Sequence, residues 1–268
     1  MSLYEKDNPS FFKDALESVS TNQSLKPNQI VVVEDGPVSH VFDDIFNSVS
    51  ADNPTIEFLL IKKETNKGLA AALNSAIDAC KYEWIARMDS DDISVSSRFE
   101  KQFCFIESHP DLAVVGGNMG EFYDTIGDIA LRRVVSCNHD GICKMMKKRN
   151  PMNHITVCYK KYAVVSCGKY SESFGKLEDY KLWVDMVNAG YKFGNIKDVV
   201  CYARVGDGFI ERRSNKREIK DWDMLQKYLL KNKIVNKFES IMNKAYIRLF
   251  IYSPKFVKKL AYKTFLRK

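Results

Sequence analysis

Long apolar runs are missing from this chain of 268 residues. No stretch approaches the ~18 consecutive apolar residues that a membrane-crossing helix requires, which argues against an integral membrane protein. The seven cysteines contain no C-x-x-C pair and are odd in number, and the first residues do not read as a secretory signal. Reduced thiols and a cytoplasmic location are therefore expected. Cys137, His139 and Cys143 lie close together, but a fourth ligand and the spacing of a zinc site are lacking. No aromatic–basic nucleic-acid module is present, which argues against a nucleic-acid partner. Acid is absent from the end of the chain: Ser240 to Lys268 holds eight Lys or Arg and no Asp or Glu. That segment exceeds the net charge of +7, so the rest of the chain sums to about −1.

What is present is an ordinary globular composition, 45% hydrophobic and 28% charged, in a first half that alternates strand and helix signals. Asn8-Pro9 reads as a cap and first helical residue before an apolar face at Phe12, Ala15, Leu16 and Val19. Strands are expected at 30–33 and 58–61, a helix over 68–80, a strand over 82–88, a helix over 97–108 and a strand at 112–115. Such alternation predicts an α/β fold with a doubly wound, mostly parallel sheet flanked by helices. Only Met1-Ser2-Leu3-Tyr4 are available as a strand before the first helix, so the first strand is expected to be truncated, since the sheet would otherwise keep an unpaired edge inside it. Further on, a hairpin over 121–135, a helix over 176–189 and a strand over 199–203 precede a helical tail interrupted at Ser253-Pro254.

The acids stand where such a sheet binds ligands. Tyr82 to Met88 ends in Asp89-Ser90-Asp91-Asp92, Asp35 follows an earlier strand, and Glu178-Asp179 opens a helix. Carboxylates at strand ends face the ligand crevice, and clustered ones favour a hard cation. An isolated D-x-D also fits a helix-capping turn, and Glu178-Asp179 also fits simple complementarity to a helix dipole. One metal-binding acid pair beside a diphosphate plus a separate carboxylate base suffices for transfer from a nucleotide-activated donor.

On these residues the chain resembles family 2 glycosyltransferases of the GT-A fold, close to bacterial enzymes of capsule, exopolysaccharide and O-antigen assembly. The matching segments are S-L-Y-E-K-D-N-P, I-V-V-V-E-D-G-P, N-K-G-L-A-A-A-L-N-S-A-I, W-I-A-R-M-D-S-D-D-I, N-P-M-N-H-I-T-V and G-K-Y…L-E-D-Y-K-L-W, in family order over residues 1–206. The resemblance implies donor contacts at Tyr4 (packing on the base), Asp35 (reading uracil), Lys67 (near the phosphates) and Asp89 (near the ribose). It implies Mn²⁺ or Mg²⁺ on Asp91, a general base at Asp179, and Glu178 positioning the base or the acceptor. His154, Arg204, Arg212 and Arg213 are expected near the pyrophosphate or acceptor. It divides the chain into a donor half (1–115), an acceptor and catalytic-base half (116–210) and a basic helical extension (211–268).

The implied activity is an inverting, metal-dependent transfer from a UDP-sugar to a hydroxyl of a lipid-linked oligosaccharide. Two other readings stand beside it: a non-catalytic nucleotide-sugar-binding or scaffold subunit, and a sugar-phosphate nucleotidyltransferase. The latter would carry a Gly-rich basic loop after its first strand, and this N-terminus has none. Residues 240–268 alternate apolar and cationic positions in a pattern suited to lying on an anionic cytoplasmic leaflet, making a peripheral membrane association the expectation. The same pattern also fits a packed helix with a solvated basic face.

Overall fold

The computed structural model describes residues 1–206, 218–262 and 264. Its first part runs β1 (Ser2–Leu3), α1 (Pro9–Val19), β2 (Gln29–Glu34), α2 (His40–Ala51), β3 (Glu57–Lys62) and α3 (Leu69–Ala79). The second runs β4 (Trp84–Ala86), β5 (Ile93–Ser94), α4 (Arg98–Ser108), β6 (Leu112–Phe122), β7 (Arg132–Arg133), α5 (His139–Met146), β8 (Cys158–Lys160), α6 (Lys161–Ser166), α7 (Glu178–Asn188) and β9 (Lys192–Arg204). Three helices follow: α8 (Glu218–Lys231), α9 (Lys237–Tyr252) and α10 (Lys255–Ala261).

The local chemistry of these elements is conventional. Asn8 accepts the Ser10 N–H at 2.9 Å and Pro9 occupies the first helical turn, while Phe12, Ala15, Leu16 and Val19 are buried. Strand β2 is buried from Ile30 to Glu34 and lies in a parallel sheet of order β1-β2-β3. A second sheet has order β4-β8-β6-β9-β5, with β7 on β6. Only β6 and β9 pair in parallel there; β4–β8, β6–β8, β5–β9 and β6–β7 are antiparallel, so the parallel character expected of the whole sheet holds for the first sheet and the centre of the second.

Both central strands outrun their expected lengths. Gly116-Gly117 looks like a strand end, yet β6 continues to Phe122, because β9 crosses so closely that a Cβ on Gly117 would sit 2.8 Å from the Val200 side chain. The expected order also leaves 38–57 empty, and α2 fills it with Phe42, Phe46 and Val49 buried.

Strand β1 touches β2 only at Ser2↔Val33 and Leu3↔Glu34. Between the remaining edge of β2 and the strand β4 lies an apolar cavity of about 390 Å³, lined by Met1, Ile30, Val31, Ile85, Phe99 and Tyr159 among others. The Met1 α-amino group reaches into it and donates to the Val31 carbonyl at 2.8 Å. Burial lowers that amine from 8.0 to about 6. Between those two values the unfolded chain binds a proton the folded chain does not, so this group weakens stability as pH falls from 8 to 6. Nα-acetylation keeps the N–H donor and abolishes the charge. It is expected to raise stability by up to about 3 kcal/mol, or about 5–10 °C in Tm, at pH 6. The gain should vanish toward pH 9; melting curves of the free and acetylated proteins across that range check it, and a gain that does not change with pH would refute it.

Candidate active site

The turn after β4 gathers negative charge around one buried cation. Carboxylate oxygens of Asp89, Asp91 and Asp92 lie within 4.8 Å of one another. Arg87, at the end of the apolar strand, is buried and forms an ion pair with Asp89, while its Nε and Nη1 have no hydrogen-bond partner. Asp92 is buried and accepts the Arg204 backbone N–H at 2.9 Å; burial, then the charges of Asp89 and Asp91, push it well above the ordinary carboxylate range. Asp91 is pushed up to about 6, first by loss of hydration in the crevice and then by Asp89 and Asp7. Asp7 closes the group, taking the Ser90 hydroxyl at 2.9 Å.

Such crowding is unfavourable without a counter-charge, and Arg87 supplies one unit against four carboxylates. Three oxygen donors this close, with Asp91 exposed, fit a hard divalent cation. Asp91 would be its protein ligand with Asp89 beside it, as the sequence leads one to expect.

A second carboxylate pair opens α7. Asp179 accepts the Asn150 side-chain amide at 2.5 Å and the Tyr180 backbone N–H at 2.7 Å, and the His154 Nδ1 stands 4.0 Å away. The other ring nitrogen of His154 lies 2.8 Å from the Tyr170 hydroxyl. Burial, reinforced by Arg87, holds His154 well below its usual range, so the ring is neutral. Glu178 is buried with Oε2 unpartnered, and burial followed by the Asp179 charge pushes it up to about 8. Burial raises Asp179 as well, but the Asn150 amide and the Tyr180 N–H oppose the rise. The negative charge of the pair therefore resides on Asp179 and the proton on Glu178, a division of roles set by environment.

Arg87 joins the two groups, its charge acting on Asp91 and Asp92 and also on Glu178, Asp179 and His154. Arg204 also lands at the acidic turn: its Nε donates to the Asp91 carbonyl at 3.2 Å, and its guanidinium stacks 3.9 Å from the Phe11 ring. Asp35 holds the turn into α3 by accepting the Lys67 and Gly68 N–H groups at 2.9 and 2.8 Å, and its own N–H donates to Leu3 at 2.7 Å. Tyr4, half exposed, directly follows β1, and Lys67 is exposed at that turn. Arg212 and Arg213 lie outside the described residues.

Four residues of this arrangement are not singled out by motif: Asp7, Arg87, Asn150 and Tyr170. Arg87 carries a usable signal, a charge at the end of an apolar strand that must find an acid once buried. Asn150 sits in the N-P-M-N-H segment, but its partner is 29 residues away and invisible to spacing.

Comparison with known proteins identifies the family and the fold. A family model described as glycosyl transferase family 2 matches residues 2–174. An uncharacterized glycosyltransferase of Haemophilus influenzae is 40% identical over 232 residues, 86% of this chain and 84% of its own. The amylovoran biosynthesis glycosyltransferase AmsE of Erwinia amylovora is 35% identical over 86% of this chain and 84% of its own. A UDP-Gal:alpha-D-GlcNAc-diphosphoundecaprenol beta-1,3-galactosyltransferase of Escherichia coli is 31% identical over 80% of this chain and 75% of its own. Among solved structures, S. aureus TarS 1–349 in complex with UDP-GlcNAc superposes with a TM-score of 0.66 at 15% identity, over 99% of this chain and 76% of TarS. The Pyrobaculum calidifontis mannosyltransferase PcManGT in complex with GDP-Man and Mn²⁺ gives 0.63 at 14% identity, over 97% of this chain and 76% of its own. These two likenesses establish the GT-A fold alone.

Proposed function

Because the chain belongs to glycosyl transferase family 2 and is a glycosyltransferase, we propose that it moves a sugar from a UDP-sugar to a hydroxyl of a lipid-linked saccharide, with inversion, in the assembly of a bacterial surface polysaccharide. The observation that carries this reading is the pair of carboxylate groups flanking Arg87, one crowded enough for a cation and the other split into a protonated Glu178 and an ionised Asp179. Asp179 takes the proton of the acceptor hydroxyl while that oxygen attacks the anomeric carbon from the face opposite the leaving group. The C–O bond to the β-phosphate breaks and UDP departs with the electron pair. Asn150 aims the Asp179 carboxylate, and Glu178, holding its proton, leaves the negative charge there. A divalent ion on Asp91, Mn²⁺ or Mg²⁺, would offset the charge that gathers on the departing diphosphate. Asp35, Tyr4, Lys67 and Asp89 serve the donor, and His154 and Arg204 line the acceptor and pyrophosphate side. The acceptor's lipid anchor would place the enzyme at the cytoplasmic face of a membrane.

The test is UDP release from a panel of UDP-sugars with Mn²⁺, with and without diphosphoundecaprenol-linked sugar acceptors. Release that requires the acceptor, with the new linkage opposite in anomeric configuration to the donor, is expected. Retained configuration would remove Asp179 from the base role, and the absence of transfer with any donor from a protein that binds UDP would favour a non-catalytic nucleotide-sugar-binding subunit.

A further inference from the structure

The helix α9 keeps a row of large apolar side chains in solvent. A helix that packs on a globular core buries its apolar stripe and shows water its polar one. Here polar side chains carry much of the attachment, beside the partly buried Met242, Ile247 and Phe250. The Asn243 amide donates to the Lys147 carbonyl at 2.7 Å and to Gln226 at 3.2 Å, Arg248 donates to Asp223 at 2.6 Å, and Lys147 pairs with Glu239 at 3.2 Å. Ser240 and Ile251 are buried at this seam against α8. The capping box between Asn236 and Glu239 fixes where the helix begins.

The opposite side is left to solvent. Phe238, Ile241, Leu249 and Tyr252 are exposed along α9, Phe238 and Leu249 by 71% each, and Phe256 (72%) with Leu260 continues the stripe through α10. Spacings of three and eight residues put the α9 members on one face. A row of this length exceeds the scattered surface apolar residues that need no explanation.

We infer that the exposed face of α9 and α10 is a docking surface for an anionic lipid bilayer, the helices lying in the plane of the headgroups with this stripe inserted. Charge decides the occupant. Lys237, Lys244, Lys255 and Lys258 stand along the same two helices, and no acid follows Glu239 in the chain. A bilayer rich in anionic lipid answers both the apolar stripe and the cations. A second copy of the chain packed through this face would set like charges against each other. No helix among the described residues is long and apolar enough to cross a membrane, so the attachment is peripheral. The far end of α10 is pinned to the second sheet, the Tyr262 hydroxyl donating to Glu121 of β6 at 2.6 Å. The bilayer is thereby held beside the strand that runs next to β9 and Arg204. This inference deepens the reading of a lipid-linked acceptor, and rests on it only for its purpose.

The experiment is sedimentation of the full chain with vesicles of phosphatidylethanolamine and phosphatidylglycerol, and with vesicles of phosphatidylcholine alone. Binding to the anionic vesicles, weakened by salt, is expected. The variant Phe238→Glu/Leu249→Glu/Phe256→Glu, altered only at exposed positions, should lose binding by at least tenfold while its melting temperature and UDP binding stay unchanged. Lys255→Gln and Lys258→Gln should each cost about fivefold. Equal binding of the triple variant, or no binding by the parent chain, overturns the inference. Concentration-dependent dimers that the triple variant abolishes, without vesicle binding, would assign the face to a second copy instead. Because UDP binding is read in parallel, failure of the membrane inference and failure of the transferase reading are told apart.

Discussion

Asp179→Asn is expected to bind UDP and metal as the parent does and to lose about 10²–10⁴-fold in kcat. The substitution is isosteric and keeps an oxygen for the Tyr180 N–H, while the new amide replaces the oxygen that accepts from Asn150, whose side-chain amide must turn over to meet it. What disappears is the only group of the pair that carries negative charge at neutral pH, because Glu178, pushed up to about 8, holds its proton. The same environment predicts the acid limb of the rate profile. Burial raises the Asp179 carboxyl above its ordinary 3.8, so activity should fall on acidification at a higher pH than an exposed aspartate would set. Asn150→Ala removes an amide that favours the ionised form, and should move that limb further up while leaving the KM for donor near the parent value. A pH profile of kcat for the three proteins checks both statements. An Asp179→Asn enzyme as fast as the parent would end the assignment.

Asp91→Asn should act on the other group and in two opposite directions. The metal concentration for half-maximal activity should rise by about 100-fold or more, since losing even a supporting residue of a metal site typically costs 10–100-fold. Stability without metal should increase. Asp91 titrates at about 6 in the folded chain against an ordinary 3.8, so above pH 6 its charge is held at a cost that the unfolded chain does not bear. Removing that charge relieves Asp89, Asp92 and Asp7, and a metal-free melting curve at pH 7 should shift upward. Weaker function with greater stability is the signature of a site strained for its ligand. A variant that melts lower and keeps its metal requirement would mean that the acidic turn is structural.

Much of this was readable from residue order. The cap at Asn8, the face of α1, the strands before Asp35 and Asp89 and the acids at the start of α7 all come from local pattern, and the structure keeps them in place. The short strands β5 and β8, two and three residues long, carry too little pattern to be seen, and they are what makes the second sheet mixed. The helix α2 is different: Phe42, Phe46 and Val49 are spaced for it and Ser39 caps it, so its signal is in the sequence. In the site, the roles proposed for Asp89, Asp91 and Asp179 come from the resemblance of their segments to the family. The tie through Arg87 and the grip of Asn150 on Asp179 depend on contacts between distant segments that only folding creates. The exposed apolar row of α9 is of the same kind, because periodicity shows two faces and not which of them meets the protein.

The crevice around Asp89, Asp91 and Asp92 is expected to bind a uridine diphosphate through a divalent ion. Titration calorimetry of UDP into the full chain, once with Mn²⁺ and once with chelator, tests it directly. One-to-one binding with Mn²⁺ that disappears in chelator is expected. Binding of equal strength in both, or none in a chain shown to be folded, would contradict it.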